Sequence, residues 1–419
     1  MNDFKPAIII PAFSRAHSLQ RLLNSIENAT YPNTDIQLII SLDGGASDDV
    51  VNVAKNFTFS HGTVDVIERT KNLGLREHIL WCGDQTEKYG SVIVLEDDLV
   101  VDPFFYIYAK EALTFYKDEE KVAGIALYSP RYNEHAKLPF EPSLNGTSGY
   151  FMSVACSWGQ AWTSSQWNHF KNWYKETNEN EVKKNEKLPD DLKQWPASSW
   201  KKYFASYLTY SKSFVFYPYQ SYTSNCAEPG GEHIKMASNN FQVPLGLSKR
   251  KHNQSLMFPS VEEHSLQYDA FMEPAGKWIE EIAGVNEDEL EVDVYGIKPL
   301  SLLQKKKFCI TSRNSRKPIK TYPLKFRPVV QNFYYPDDAG KIDGIVLTIS
   351  KDIIRTDSDE IRIKLANYFT YFELGTKEFV RAYKKHVFLK KKKRKVIYWI
   401  FRKIRYPFKV LYKSFTGNQ

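Results

Sequence analysis

Four short apolar runs, Ala7–Ala12, Ile36–Leu42, Thr63–Ile67 and Val92–Leu95, alternate with stretches of helical spacing, and this alternation limits the fold more than any other feature of the chain. Leu19, Leu22, Leu23 and Ile26 recur at the period of a helix after the first run. After the second, Ser47 is placed to cap a helix whose first turn holds Asp48 and Asp49. Asn72-Leu73-Gly74 leads into a helix expected from about Leu75 to Tyr89, and a fifth strand is expected over Val122–Leu127. Strand and helix in alternation predict a parallel sheet with helices on both faces, joined by right-handed crossovers.

In such a sheet the strand ends at Pro11, Asp43 and Glu96 share one edge, and open α/β folds bind ligands at the carboxyl edge. The fourth run stops at Glu96-Asp97-Asp98. Three adjacent carboxylates repel one another unless a cation joins them, and hard oxygen ligands suit Mg²⁺ or Mn²⁺ held together with substrate phosphates. Ser14, Arg15 and Asp43 border the same crevice. Neither GxGxxG nor GxxxxGK[ST] occurs, which disfavours a dinucleotide cofactor and a P-loop nucleotide. The edge therefore suits a nucleotide whose phosphates a cation neutralises.

At 419 residues, two or three domains are expected. Beyond Tyr128 the pattern gives way to loops dense in aromatics, with Trp158, Trp162, Trp167, Trp173, Trp195 and Trp200 around a polar stretch, Lys175–Lys187, that reads as an exposed insertion. Aromatics make up 15% of the chain, enough to fill cores and also to pack on the apolar faces of sugars. Ser213–Tyr222 is strand-like and 225–233 reads as a loop; residues 300–380 carry no recognisable function. Cys82, Cys156, Cys226 and Cys309 are scattered, which argues against a zinc knuckle or a disulfide framework and fits a reducing compartment.

The net charge is +8, yet Arg381–Lys413 holds 14 Lys and Arg and no acidic residue, so the remainder is net acidic. Ile397, Ile400, Phe401 and Ile404 share a helical face beside these cations. The run is too short to span a bilayer, which needs about 20 residues. It suits a helix lying on an anionic membrane surface better than one binding nucleic acid. With no signal-type segment at the N-terminus, a cytoplasmic protein peripheral on the inner face of the plasma membrane is expected.

The stretches Ile8–Arg15, Ile39–Gly45, Glu77–Trp81 and Val92–Phe105 resemble, in order and spacing, the GT-A glycosyltransferases. The likeness is to the eukaryotic N-acetylglucosaminyltransferase type that initiates hybrid and complex N-glycans, and to bacterial surface-polysaccharide transferases of family 2 type. It weakens through Ser157–Trp162 to about residue 235. The resemblance implies an α/β GT-A fold, Rossmann-like and mainly parallel, to which the residues themselves add an aromatic-rich acceptor region and a basic amphipathic tail. It implies that Pro11, Arg15, Asp43, Asn72, Arg76, His78, Glu96 and Asp97 surround a nucleotide-sugar donor and that Asp98 ligates Mn²⁺ or Mg²⁺. His233, in a Gly-rich loop, is placed either to complete the metal shell or to close over the diphosphate.

An inverting transfer also needs a carboxylate base. The resemblance locates it between two Trp residues, but Trp195-Pro196-Ala197-Ser198-Ser199-Trp200 has no carboxylate. Asp190, Asp191, Glu228 and Glu232 are the nearest substitutes, Asp191 and Glu232 being the candidates. The expected organisation is a nucleotide-sugar half (1–128), an acceptor and catalytic region (129–300), a region without assigned role (301–383) and the tail (384–419). The expected activity is metal-dependent transfer from a nucleotide sugar, UDP-linked by preference, to a glycan or lipid-linked acceptor in surface polysaccharide synthesis. A sugar nucleotidyltransferase and a non-catalytic glycan-binding protein are the alternatives.

Overall fold

Three of the four apolar runs become strands buried on both faces, as a sheet covered by helices on its two sides requires. β1 (Ala7–Ala12), β2 (Ile36–Leu42) and β4 (Ser91–Val94) are almost wholly buried, whereas β3 (Gly62–Glu68) alternates and forms the sheet edge. The computed structural model describes residues 4–32, 35–226, 241–246, 255–261, 265–336 and 344–369. Helices α1 (Ala16–Glu27), α2 (Asp48–Asn56) and α3 (Gly74–Asp84) connect the strands. β1 pairs in parallel with β2 and β4, and β2 with β3.

The whole sheet has ten strands. From β3 the order runs β2, β1, β4, Gln160–Thr163, then β6 (Val122–Ala126), Phe214–Pro218, Gly149–Met152, Gln267–Tyr268 and Pro274–Ala275. The strand Gln160–Thr163 enters antiparallel between β4 and β6. Beside the sheet, β5 (Leu99–Val101) pairs antiparallel with Thr223–Asn225.

Two local expectations are corrected. The helix after Gly74 ends at Asp84, and a separate turn, α4 (Thr86–Tyr89), follows Gln85, whose backbone N–H turns back to the Gly83 carbonyl. The stretch Lys175–Lys187 is not simply an exposed insertion. It contains the helix Glu179–Lys184, capped by the Asn178 side chain and anchored by buried Val182.

Much of the aromatic surplus is core. Trp162, Trp167 and Trp200 are fully buried, with Trp162 and Trp167 ring centres 4.6 Å apart and Phe170 and Phe204 4.9 Å apart. Residues 290–349 add a four-stranded sheet in the order Leu290–Asp293, Phe308–Thr311, Gly344–Ile349, Pro318–Pro323. Buried Lys298 joins it to the main sheet through ion pairs with Asp269 and Glu291. Residues up to 353 form one compact unit, and the helix Ser358–Phe369 belongs to another. The four cysteines are free. Among the described residues no helix is long and apolar enough to cross a membrane.

Candidate active site

At the carboxyl end of β4 the chain turns through Glu96, Asp97 and Asp98 into β5. The Asp98 carbonyl accepts from Cys226 N–H at 3.0 Å, so the antiparallel pair beneath holds the turn in place. From the end of β1, Arg15 reaches across. Its Nη1 donates to Asp98 Oδ2 at 3.0 Å and its Nε to Asp97 Oδ2 at 3.3 Å, with Nη2 also on Asp97. The guanidinium supplies the positive charge that two adjacent buried carboxylates require. Burial pushes the Asp97 carboxyl up to about 6, and burial with the neighbouring Asp98 pushes half-buried Glu96 to about 8. Asp98 Oδ1 is buried and has no hydrogen-bond partner among the described residues. A buried carboxylate oxygen left bare is costly, and it is the kind of donor a divalent ion would take.

At the end of β2, Asp43 is committed to the backbone. Its Oδ1 accepts from Gly44 N–H at 3.0 Å and Leu73 N–H at 2.8 Å, and its Oδ2 from Gly74 N–H at 3.0 Å. It thereby ties the start of α3 to the strand edge. Gly44 is needed for this, because a Cβ there would lie 2.2 Å from the backbone carbon of Lys71. His78 lies beneath, buried. Its Nε2 is 2.8 Å from Ser41 Oγ and its Nδ1 is 3.9 Å from Asp43 Oδ2. Burial lowers its pKa to about 4, so the ring is neutral at neutral pH.

Pro11 is buried within β1 opposite Ser41. Asn72 Oδ1 accepts from Gly74 N–H at 2.8 Å, a loop bond. Arg76 pairs with Glu77 at 3.0 Å rather than with the strand-end carboxylates. It donates to the Ala197 carbonyl at 2.8 Å and stacks over Tyr203, which fastens α3 to the Trp195–Trp200 segment. Glu228, Glu232 and His233 lie outside the described residues. Among the described residues no three His, Cys, Asp or Glu side chains converge as a metal cage. A metal here would rest on Asp98 and on oxygens of the bound substrate.

Four residues that the sequence reading did not single out, Phe13, Glu134, His135 and Lys201, stand near these groups. Phe13 is 43% exposed at the strand edge and faces Gly45, a flat apolar platform beside Asp43. Lys201, at the start of the helix Trp200–Ser211, has Nζ 3.4 Å from Glu134 Oε1 and lies over the Trp158 and Trp195 rings at 5.4 and 5.1 Å. Beside them Asp191 Oδ1 bonds His135 Nδ1 at 2.8 Å. Burial works against ionisation of Asp191, yet this bond holds its pKa below the ordinary value. Only the exposed aromatic Phe13 had a local signal. The Glu134–Lys201 pair joins residues 67 positions apart.

Residues 7–130 match the family model of glycosyl transferase family 2. Glycosyltransferase AglE of Haloferax volcanii is 24% identical over 68 residues, which is 16% of this chain and 22% of AglE. Among solved structures, S. aureus TarS is 15% identical with a TM-score of 0.36, over 52% of this chain and 60% of that one. The mannosyltransferase PcManGT from Pyrobaculum calidifontis, solved with GDP-Man and Mn²⁺, is 11% identical with a TM-score of 0.32, over 52% and 58%. The chain thus spans less than two thirds of each of these relatives.

Proposed function

We propose that this chain, whose N-terminal region matches glycosyl transferase family 2, transfers a sugar from a nucleoside diphosphate sugar to a glycan or lipid-linked acceptor. The donor is UDP-linked, and the anomeric centre is inverted. One observation carries the reading: at the carboxyl end of a parallel strand, Asp97 and Asp98 share the Arg15 guanidinium while a buried Asp98 oxygen is left without a partner. That geometry fits Mn²⁺ or Mg²⁺ on Asp98. Such an ion, when bound with the diphosphate, neutralises the charge that develops on the leaving group.

The chain's own residues do the rest. Arg15 is long enough to leave the carboxylates for a phosphate oxygen, for which a guanidinium is equally suited. Phe13 offers a face on which a nucleobase stacks. Asp43 keeps the Leu73-Gly74 turn against the strand edge, which fixes the wall of the donor crevice. Trp158 and Trp195, half-buried beside Lys201, suit an acceptor sugar whose C–H face packs on an aromatic ring. The basic segment from Lys384, outside the described residues, would keep the enzyme near a lipid-linked acceptor at an anionic membrane. Surface polysaccharide synthesis is the setting this combination suits.

The test is release of UDP from a panel of UDP-sugars, with Mn²⁺ and with chelator, for the unaltered chain and for Asp98→Asn. Metal-dependent release that falls by about 10³-fold or more in Asp98→Asn, with unchanged thermal unfolding, is expected. Donor binding without turnover under every condition would favour a glycan-binding protein on the same fold.

A further inference from the structure

Where the resemblance implies a base, between Trp195 and Trp200, the chain has no carboxylate, and the next residue is a cation. Lys201 lies in the first turn of the helix Trp200–Ser211, its ammonium flanked by the Trp158 and Trp195 rings and paired with Glu134. Trp158 stands two residues before Gln160, which pairs with Val94 at the end of β4. Lying over that ring, Lys201 links this edge of the sheet to a carboxylate contributed by a different element.

We propose that Glu134 takes the proton of the acceptor hydroxyl, with Lys201 as the residue that positions it. This rests on the transferase reading above. Three observations support it. Glu134 sits in a rigid turn: Asn133 Oδ1 accepts from the N–H groups of His135 and Ala136, both at 3.0 Å, while Asn133 Nδ2 donates to the Phe271 carbonyl at 3.0 Å. Burial alone would favour the neutral acid, but Lys201 and neighbouring His135 hold the Glu134 carboxyl below the ordinary range, in the form that accepts a proton. Its side chain remains 25% exposed, beside the half-buried Trp158 and Trp195. Asp191 lacks this link, because its carboxylate is engaged by His135 and its side chain is 47% exposed.

The step balances. The acceptor proton passes to a Glu134 oxygen, and the acceptor oxygen's electron pair forms the bond to the anomeric carbon. The bond from that carbon to the diphosphate oxygen breaks, and its pair leaves with the nucleoside diphosphate. Glu134 afterwards returns the proton to solvent.

The experiment uses the full chain, with the UDP-sugar that it turns over best and water as acceptor. Glu134→Gln, which keeps size and shape, should lower UDP release by about 10²- to 10⁴-fold while donor binding, measured by calorimetry, is unchanged. In Glu134→Ala, sodium azide should restore UDP release and yield a glycosyl azide detectable by mass spectrometry, because azide attacks without giving up a proton. A merely structural role for Glu134 would show no such rescue. Turnover in Glu134→Gln within about threefold of the unaltered chain, too small a loss for a general base, would overturn the assignment. So would donor binding without azide product in Glu134→Ala. If the unaltered chain releases UDP and Asp98→Asn does not, either result counts against Glu134 alone. If the unaltered chain turns over no donor, the transferase reading fails first.

Discussion

Arg15 and Asp98 show how one side chain can stand in for a metal ion. On the reading proposed above, the guanidinium sits on the carboxylates that a divalent cation would use, so the two would compete until a diphosphate drew Arg15 away. Charge-assisted hydrogen bonds of this kind contribute about 1.5–3 kcal/mol. Arg15→Ala should therefore bind Mn²⁺ without donor about tenfold more tightly, while donor affinity weakens. A Mn²⁺ titration followed by electron paramagnetic resonance reads this directly, and unchanged metal affinity would exclude the competition. His78 acts through protons instead. Its folded pKa of about 4 lies below the ordinary 6.5, so the unfolded chain binds more protons between those values. The stability from neutral His78 is complete above pH 6.5 and is lost as pH falls toward 4, by up to roughly 3 kcal/mol. His78→Asn should flatten that part of the stability curve, as urea unfolding at pH 4.5 and 7 would reveal.

At the scale of elements, β1, β2 and β4 announced themselves because they had to be buried on both faces, whereas their ends depended on what met them. β2 ends where Asp43 leaves the ladder to accept three backbone N–H groups, and Gly44 permits the Lys71–Asn72 backbone to pass close by. Gly44→Ala should cost about 1–3 kcal/mol through overpacking and should weaken donor binding as well, since the Leu73-Gly74 turn must move. Chemical unfolding with a donor-binding isotherm measures both, and an unperturbed turn would leave both unchanged. The Lys175–Lys187 stretch misled for a related reason. Its composition is polar, but a single Val182 with an Asn178 cap suffices to seat a short helix.

At the scale of the whole molecule, the sheet is completed by strands that arrive from distant sequence. Gln160–Thr163 enters between β4 and β6, and residues 290–349 add a second sheet fastened through Lys298. Because Gln160 pairs with Val94, Trp158 is brought beside the end of β4, with Lys201 over its ring and Glu134 paired to Lys201. The basic segment from Lys384 belongs to this scale too. A chain ending at residue 383 should lose binding to anionic vesicles and keep soluble-donor turnover, because each surface cation contributes about 1 kcal/mol toward such a membrane. Vesicle co-sedimentation decides it, and full retention by the shortened chain would remove the membrane role.

The alternating strands and helices, the strand-end carboxylates and Arg15 were legible in the primary structure, because burial periodicity and charge clustering are local properties that neighbouring residues express together. The pairings were not. That Arg15 would clasp Asp97 and Asp98, that Asp43 would be spent on backbone N–H groups, that Trp162, Trp167 and Trp200 would be core, and that Glu134 would meet Lys201 depend on strand order and on contacts between residues far apart in the chain. Such contacts carry no periodic signature, since hydrophobic burial selects how much surface is hidden while only the assembled topology selects which side chains face one another.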